Sequence, residues 1–529
     1  SDTVALRLMA HSDTLSNHRD HYDGDRFGIN PSFTFALNEA TELNISFEYL
    51  DHERYIDRGI PTLGADVDES LREITYGTDD NIHTTEGTIL KANLVHNYSD
   101  NGKINLAVGG NTFNKMYQNV YVKSLQAAAD GTANALVQLE GYRDTTAREN
   151  SFINLTNVNT FDRGTLTLGL DFTSTDNENE RYHSHFNNEA ADAGGLGASG
   201  IRNNFLRTAT TFDIDAYGNR TVLDFSTDVK VKSETDISVQ SLFLTGDIDL
   251  SDQWQMILGA RYEEVDTEIV KYRPDETGDT FNDTYLALIA SDTIQSDDSH
   301  LSPRFGLIFK PQENMSLYLS YSESFLPKSG DQYKAWSLVN NVVVDPDVFE
   351  NTELGFKYNS EAGVNLSIAY FDSETEKVQA DGVGFAEEIA FEISGIELTV
   401  GGQINDKNSI SASLSSVDAE NASGGDQKEI PELTWSLWYT HQANDMFGFS
   451  VGAVYQDEQW INSTAAGSPK LPDYTRVDMA MAITPNESDT IRINIENLLD
   501  EDYYPYSHST HQVTVGEPAN VRVSYNKRF

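Results

Sequence analysis

The sequence predicts an all-β fold, a large antiparallel up-and-down transmembrane β-barrel of about 20–22 strands and of outer-membrane type. Three observations carry this expectation. Apolar and polar residues alternate along many separate stretches. The connections between those stretches alternate between very short and long, and the pattern runs to the end of the chain, in VRVSYNKRF at 521–529.

The alternation is the primary signal. In TLTLGLDFTS, Leu166, Leu168, Leu170 and Phe172 share one face of an extended chain, opposite Thr165, Thr167, Gly169 and Asp171. SLYLSYSESF sets Leu317, Leu319 and Tyr321 against Ser316, Tyr318 and Ser320, and TIRINIENLL sets Ile491, Ile493 and Ile495 against Arg492, Asn494 and Glu496. Each reads as a two-faced strand. No apolar run reaches about 18 residues, which excludes membrane-spanning helices, whereas a barrel whose strands alternate is hydrophilic on average.

The connections sort by length. SDNGK at 99–103, DRG at 162–164, SDQ at 251–253, PQEN at 311–314, SEAG at 360–363, NDK at 405–407 and PNES at 485–488 are tight turns by their Asn, Asp, Gly and Pro content. The joins at 186–230, 270–298 and 327–350 are long and polar. Turns at one rim and loops at the other describe a membrane barrel, which a soluble sandwich or propeller does not reproduce. VRVSYNKRF is then the closing strand, with Val521, Val523 and Tyr525 toward lipid and Arg522, Ser524 and Asn526 toward a watery interior. No Pro/Ser-rich linker divides the chain, so residues 1–529 are expected to form one barrel domain.

Composition narrows the function classes. With 84 acidic and 36 basic residues the net charge is −48, and no basic stripe exists to track phosphates, so no nucleic-acid partner is expected. The absence of cysteine removes disulfides, thiol nucleophiles and thiolate metal sites. No G-x-S-x-G elbow, H-E-x-x-H pair or phosphate loop marks an enzyme, and no cofactor is implied. The acidic loops are solvated, or bind divalent cations that bridge to outer-membrane lipid and lipopolysaccharide.

Longer stretches carry a family resemblance. QSLFLTGDIDLSDQWQMILGARYEEVD at 240–266, LSPRFGLIFKPQENMSLYLSYSESFLPKSGDQY at 301–333, ENTELGFKYN at 350–359, LPDYTRVDMA at 471–480 and the segment 495–529 resemble, in order, the strands of TonB-dependent siderophore receptors. SFEYLDHERYIDRGIPTLGADVD at 46–68 resembles the ferric-catecholate branch more narrowly. The resemblance implies a bacterial outer-membrane importer of a ferric siderophore, driven by the TonB system through an N-terminal plug domain, which is not recognised in this chain. Two alternatives stand beside it: a passive diffusion channel, and a TonB-dependent receptor for another ligand such as a divalent metal complex.

For an anionic, partly aromatic chelate the expected site combines cations and aromatic faces at the mouth. Leu43, Ile45, Phe47 and Tyr49 mark a lipid face, so parity puts Glu48, His52, Arg54 and Arg58 on the lumen side. Arg54 and Arg58 either meet the ligand or form structural ion pairs with Glu48 or plug carboxylates. Lys328, Tyr333 and Trp336 are expected on a loop over the mouth. Trp460 and Tyr506 are rim candidates, as ligand contacts or as interface anchors. His183 and His185 in RYHSHF form the metal-capturing alternative. By resemblance, the terminal aromatic Phe529 is the signal read by the barrel-insertion machinery.

Overall fold

The computed structural model describes residues 3–529 apart from 64–65, 68, 80, 127–135, 184–204, 209–228, 275–287, 328–345, 381–385, 422–423 and 462–466. The described chain is almost wholly β. One antiparallel sheet holds twenty long strands and one four-residue piece, Phe205–Thr208. The first seven long strands are β1 (Val4–Ser16), β2 (Asp23–Asn38), β3 (Thr41–Tyr55), β4 (Ile82–Ser99), β5 (Gly102–Gln126), β6 (Leu136–Phe161) and β7 (Gly164–His183). Thirteen more follow, from Val229–Asp249 to Asn520–Lys527. Each pairs with its neighbours in sequence, the up-and-down order that the turn spacing predicts.

The short turns are built by asparagine side chains that imitate a backbone turn. Asn405 Oδ1 accepts from the amides of Lys407 (3.0 Å) and Asn408 (3.1 Å), and Asn444 Oδ1 from those of Met446 (2.9 Å) and Phe447 (3.1 Å). Asn486 Oδ1 accepts from Ser488 (2.9 Å) and Asp489 (3.0 Å) in the same way. The ladder needs no longer connection there.

One face of the sheet carries the exposed apolar belt. Leu166, Leu168, Leu170 and Phe172 lie exposed together, as do Phe47, Leu90, Leu317 and Leu319 on other strands. Ile491 and Ile493 sit opposite Tyr525 and Val523 of the C-terminal strand on the same face. In hydrocarbon this face needs no further covering.

Two expectations are corrected. VRVSYNKRF is the last strand of the barrel but is not hydrogen-bonded to the first: among the described residues it pairs only with Asp489–Glu496, and β1 pairs only with β2. Alternation fixes which face of a strand meets lipid, but not which strand lies beside it. The ladder also ends at Lys527, so Phe529 stands fully exposed outside the strand.

The two ends of the sheet meet instead through their long loops. Ile60, Leu71 and Tyr76 of the β3–β4 loop pack with Val120 and Val122 at the end of β5, Ile461 and Leu471 of the loop 457–473, and Tyr504, Val513 and Val515 of the loop 497–519. This is the main buried apolar cluster among the described residues. It lies at the long-loop rim and not in the wall.

Candidate functional site

The loop cluster forms a clasp over one side of the mouth, and its backbone pairing explains the sequence RGIP. Ile60 N–H donates to Val513 O and Val513 N–H to Ile60 O, both at 2.8 Å. Gly59 precedes this bridge with φ +81°, and a Cβ there would stand 2.1 Å from Val513 O. Only glycine permits both the left-handed turn and the close approach.

Two buried asparagines tie the loop necks. Asn81 Nδ2 donates to Ile56 O (2.9 Å) and Val120 O (3.0 Å), while its Oδ1 accepts from Val120 N (2.8 Å). Asn497 Nδ2 donates to Glu501 O (2.8 Å) and Glu517 O (2.9 Å), and its own amide donates to Asp478 Oδ1 (2.8 Å). Two arginines add charge. Arg19, from the β1–β2 turn, pairs through Nε with Asp57 Oδ2 (2.6 Å) and donates to Ile74 O (2.7 Å) and Arg72 O. Arg72 pairs with Asp502 and donates to Gly516 O (3.3 Å), joining the loop 56–81 to the loop 497–519. Within this clasp, burial holds the imidazoles of His18 and His508 below their ordinary range.

Below the clasp, cross-strand register lines up the wall on the face opposite the apolar belt. Arg54 of β3 stands opposite His83 of β4, His83 opposite Tyr117 of β5, Tyr117 opposite Asp144 of β6, and Asp144 opposite Arg181 of β7. One row further from the mouth, Arg26 faces His52, His52 faces Thr85, and Thr85 faces Lys115. The His52 and His83 rings lie edge to face at 6.1 Å, and His83 meets Tyr117 at 5.7 Å.

The wall carboxylates are already engaged. Asp144 binds Arg181 through both oxygens, at 2.6 and 2.5 Å. Asp13 takes Arg26 at 3.0 Å, and Glu48 accepts from Asn30 at 3.1 Å instead of pairing with an arginine. Arg54 and Lys115 have no ion-pair or hydrogen-bond partner among the described residues; Arg54 stands directly opposite His83, and Lys115 is one pair along the same face from Tyr117. An acidic protein thus presents a cationic, aromatic patch inside its mouth.

The sequence-predicted residues divide. His52 and Arg54 lie on the expected face of β3. Arg58 does not, because β3 ends at Tyr55 and the chain turns into the loop through Asp57 and Gly59. Its guanidinium still returns to the wall: Nη1 donates to the hydroxyls of Tyr117 (2.9 Å) and Tyr142 (3.2 Å), and Nε to Gln512 Oε1 (3.0 Å), which also accepts from Nη2. The Tyr117 and Tyr121 rings flank it at 5.8 and 5.3 Å. Lys328, Tyr333, Trp336 and His185 lie outside the described residues, and His183 is the last residue of β7. Trp460 donates to Asp426 (3.2 Å) under Lys470 (4.1 Å), and Tyr506 is exposed.

Arg19, Arg72, Asn81, Asn497 and Lys115 were not anticipated. The partners of Arg19, Arg72 and Asn81 lie on other strands or loops, and Lys115 has none among the described residues, so no local pattern announces these four.

Comparison with known proteins gives a consistent pattern. A family model described as TonB dependent receptor-like, beta-barrel, matches residues 16–498. PiuA of Acinetobacter baumannii, a probable TonB-dependent siderophore receptor, is 23% identical over 99% of this chain and 72% of its own length. The metal-pseudopaline receptor CntO of Pseudomonas aeruginosa is 24% identical over 97% of this chain and 69% of its own. The crystal structure of the ferric-catecholate import receptor Fiu of K12 E. coli, in its closed form, superposes with a TM-score of 0.84 at 17% identity, covering all of this chain and 78% of Fiu.

Proposed function

The chain belongs to the TonB-dependent receptor β-barrel family, and from that premise we propose that it is the barrel of a bacterial outer-membrane receptor that imports a ferric siderophore of the catecholate type. The TonB system supplies the energy, through a plug domain that is not among the described residues. The observation that carries the ligand class is the wall patch of Arg54, His83, Lys115 and Tyr117. Its cations are unpaired, its aromatic rings are grouped, and the neighbouring carboxylates are engaged elsewhere. A bulky anionic aromatic chelate finds there both counter-charge and ring surface.

No covalent step is involved. The mouth concentrates the chelate from outside, the clasp orders one side of the vestibule, and the plug controls passage through a lumen too wide to stay empty. Uptake of radioiron supplied as a ferric catecholate, in cells carrying the complete receptor with and without a working TonB system, tests this. Uptake that persists without TonB points to a passive pore, and its absence in both strains removes the ligand class.

A second reading has one specific observation in its favour. His52 and His83 lie edge to face, and the relative CntO carries a metal complex in its name. A receptor for a divalent metal chelate would take up labelled zinc or nickel with its metallophore and ignore the ferric catecholate.

A further inference from the structure

Arg58 breaks a rule that the other clasp arginines obey. Arg19 has Asp57 and Arg72 has Asp502, but each acceptor around the Arg58 guanidinium is neutral: the Gln512 amide oxygen, two tyrosine hydroxyls, and Asn119 Oδ1 at 3.5 Å. Asp57, its sequence neighbour, is spent on Arg19. A largely covered cation without an anion carries a desolvation cost that neutral acceptors only partly offset. Here it sits where the clasp touches the wall, with Tyr117 shared between Arg58 and the His83 row.

Resting on the receptor reading above, we propose that the missing counter-ion of Arg58 is the ligand itself. An anionic oxygen of the incoming chelate binds the guanidinium beside Tyr117 and Tyr142 and displaces the Gln512 amide from it. The Gln512 oxygen is a neutral acceptor, whereas an anionic oxygen adds the attraction of opposite charges to the same guanidinium hydrogen bond, so the exchange is favourable for an anionic chelate and not for a neutral one. Arg58 thereby reads ligand charge. It also passes occupancy to the loop 497–519, because Gln512 is that loop's contact with the guanidinium. The Ile60–Val513 bridge stays in place, so the response is confined to the tip around 507–513.

The test uses the complete receptor in detergent with two probes: a ferric tris-catecholate, which is trianionic, and a ferric tris-hydroxamate, which is neutral. Affinity is measured for wild type, Arg58→Gln, Arg58→Lys and Gln512→Leu, with amide exchange followed across 507–513. The expected result has four parts. Arg58→Gln weakens catecholate binding by about tenfold or more, the scale of one charge-assisted hydrogen bond. Arg58→Lys recovers part of it. Gln512→Leu, which removes only the competitor, binds catecholate at least as tightly as wild type. Catecholate speeds exchange at 507–513 in wild type, and the hydroxamate does not.

The outcomes separate the two readings. If wild type binds no catecholate, the ligand class falls and this inference falls with it. If wild type binds it and Arg58→Gln binds equally well, the inference alone is wrong. If Gln512→Leu is as damaging as Arg58→Gln, Arg58 is a structural post and reads no charge.

Discussion

Replacing Gly59 by alanine isolates the clasp from the rest of the barrel, and its cost follows from the geometry. The left-handed φ of +81° costs a non-glycine residue about 1–2 kcal/mol. The new Cβ would stand 2.1 Å from Val513 O, and that atom is backbone, so the loops must separate. Separation breaks the two Ile60–Val513 hydrogen bonds, each worth about 0.5–1.5 kcal/mol net. The clasp therefore loses about 2–5 kcal/mol of local stability while the wall ladder is untouched. Since every 1.4 kcal/mol is tenfold, amide exchange at Ile60 and Val513 should accelerate by at least about thirtyfold. Hydrogen exchange read by mass spectrometry, with peptides across 56–63 and 508–515, measures it, and a peptide from Asp489–Glu496 serves as the unaffected control. Wild-type exchange in the variant would mean that the loops do not dock as described.

Three further outcomes are expected. Leu71→Ala, at a fully buried position of the loop cluster, should cost about 2–5 kcal/mol locally and expose the loops to limited proteolysis without changing barrel heat-modifiability on gels. Because burial lowers the pKa of His18 and His508 in the closed clasp, the opened state takes up the protons first as pH falls below the ordinary imidazole value of about 6.5; clasp exchange should be flat above that pH and rise below it, and His18→Gln should blunt the rise. Deleting Phe529, which stands exposed beyond the last ladder pair, should lower the amount of receptor in the outer membrane while leaving the refolded barrel's thermal stability unchanged; equal surface levels would remove its role as an insertion signal.

The wall was legible in the sequence because its determinants are local. A period of two and an asparagine turn are both written within a few residues, so the lipid face of Leu166–Phe172 and the turn at Asn486 follow directly. His52 and Arg54 were placed by the same parity. Arg58 was not, since parity was carried past Tyr55 although Gly59 and Pro61 signal that the strand has ended. The clasp was illegible for a different reason. Arg58 meets Gln512 across 454 residues and Arg72 meets Gly516 across 444, contacts that exist only once the sheet has curled and brought its two ends together. The engagement of Asp144 by Arg181, which leaves the row around His83 cationic, likewise appears only once the register is known.

The seam between β1 and Asn520–Lys527 has a consequence for how this polypeptide behaves in isolation. Both edges present unused amide and carbonyl groups, and each such group in hydrocarbon costs several kcal/mol, so neither edge tolerates lipid while bare. The two edges run antiparallel and the loop clasp holds the two ends of the sheet together, so the first edge is a template for the last edge of the same molecule, and for that of a neighbour only when the clasp is open. Between molecules that contact is head to tail, and it ends when each chain pairs its own two edges. Refolded in detergent, the clasp-weakened Gly59→Ala variant should form more concentration-dependent ladders on cross-linking than the unchanged chain, and a short synthetic strand that caps either edge should suppress them.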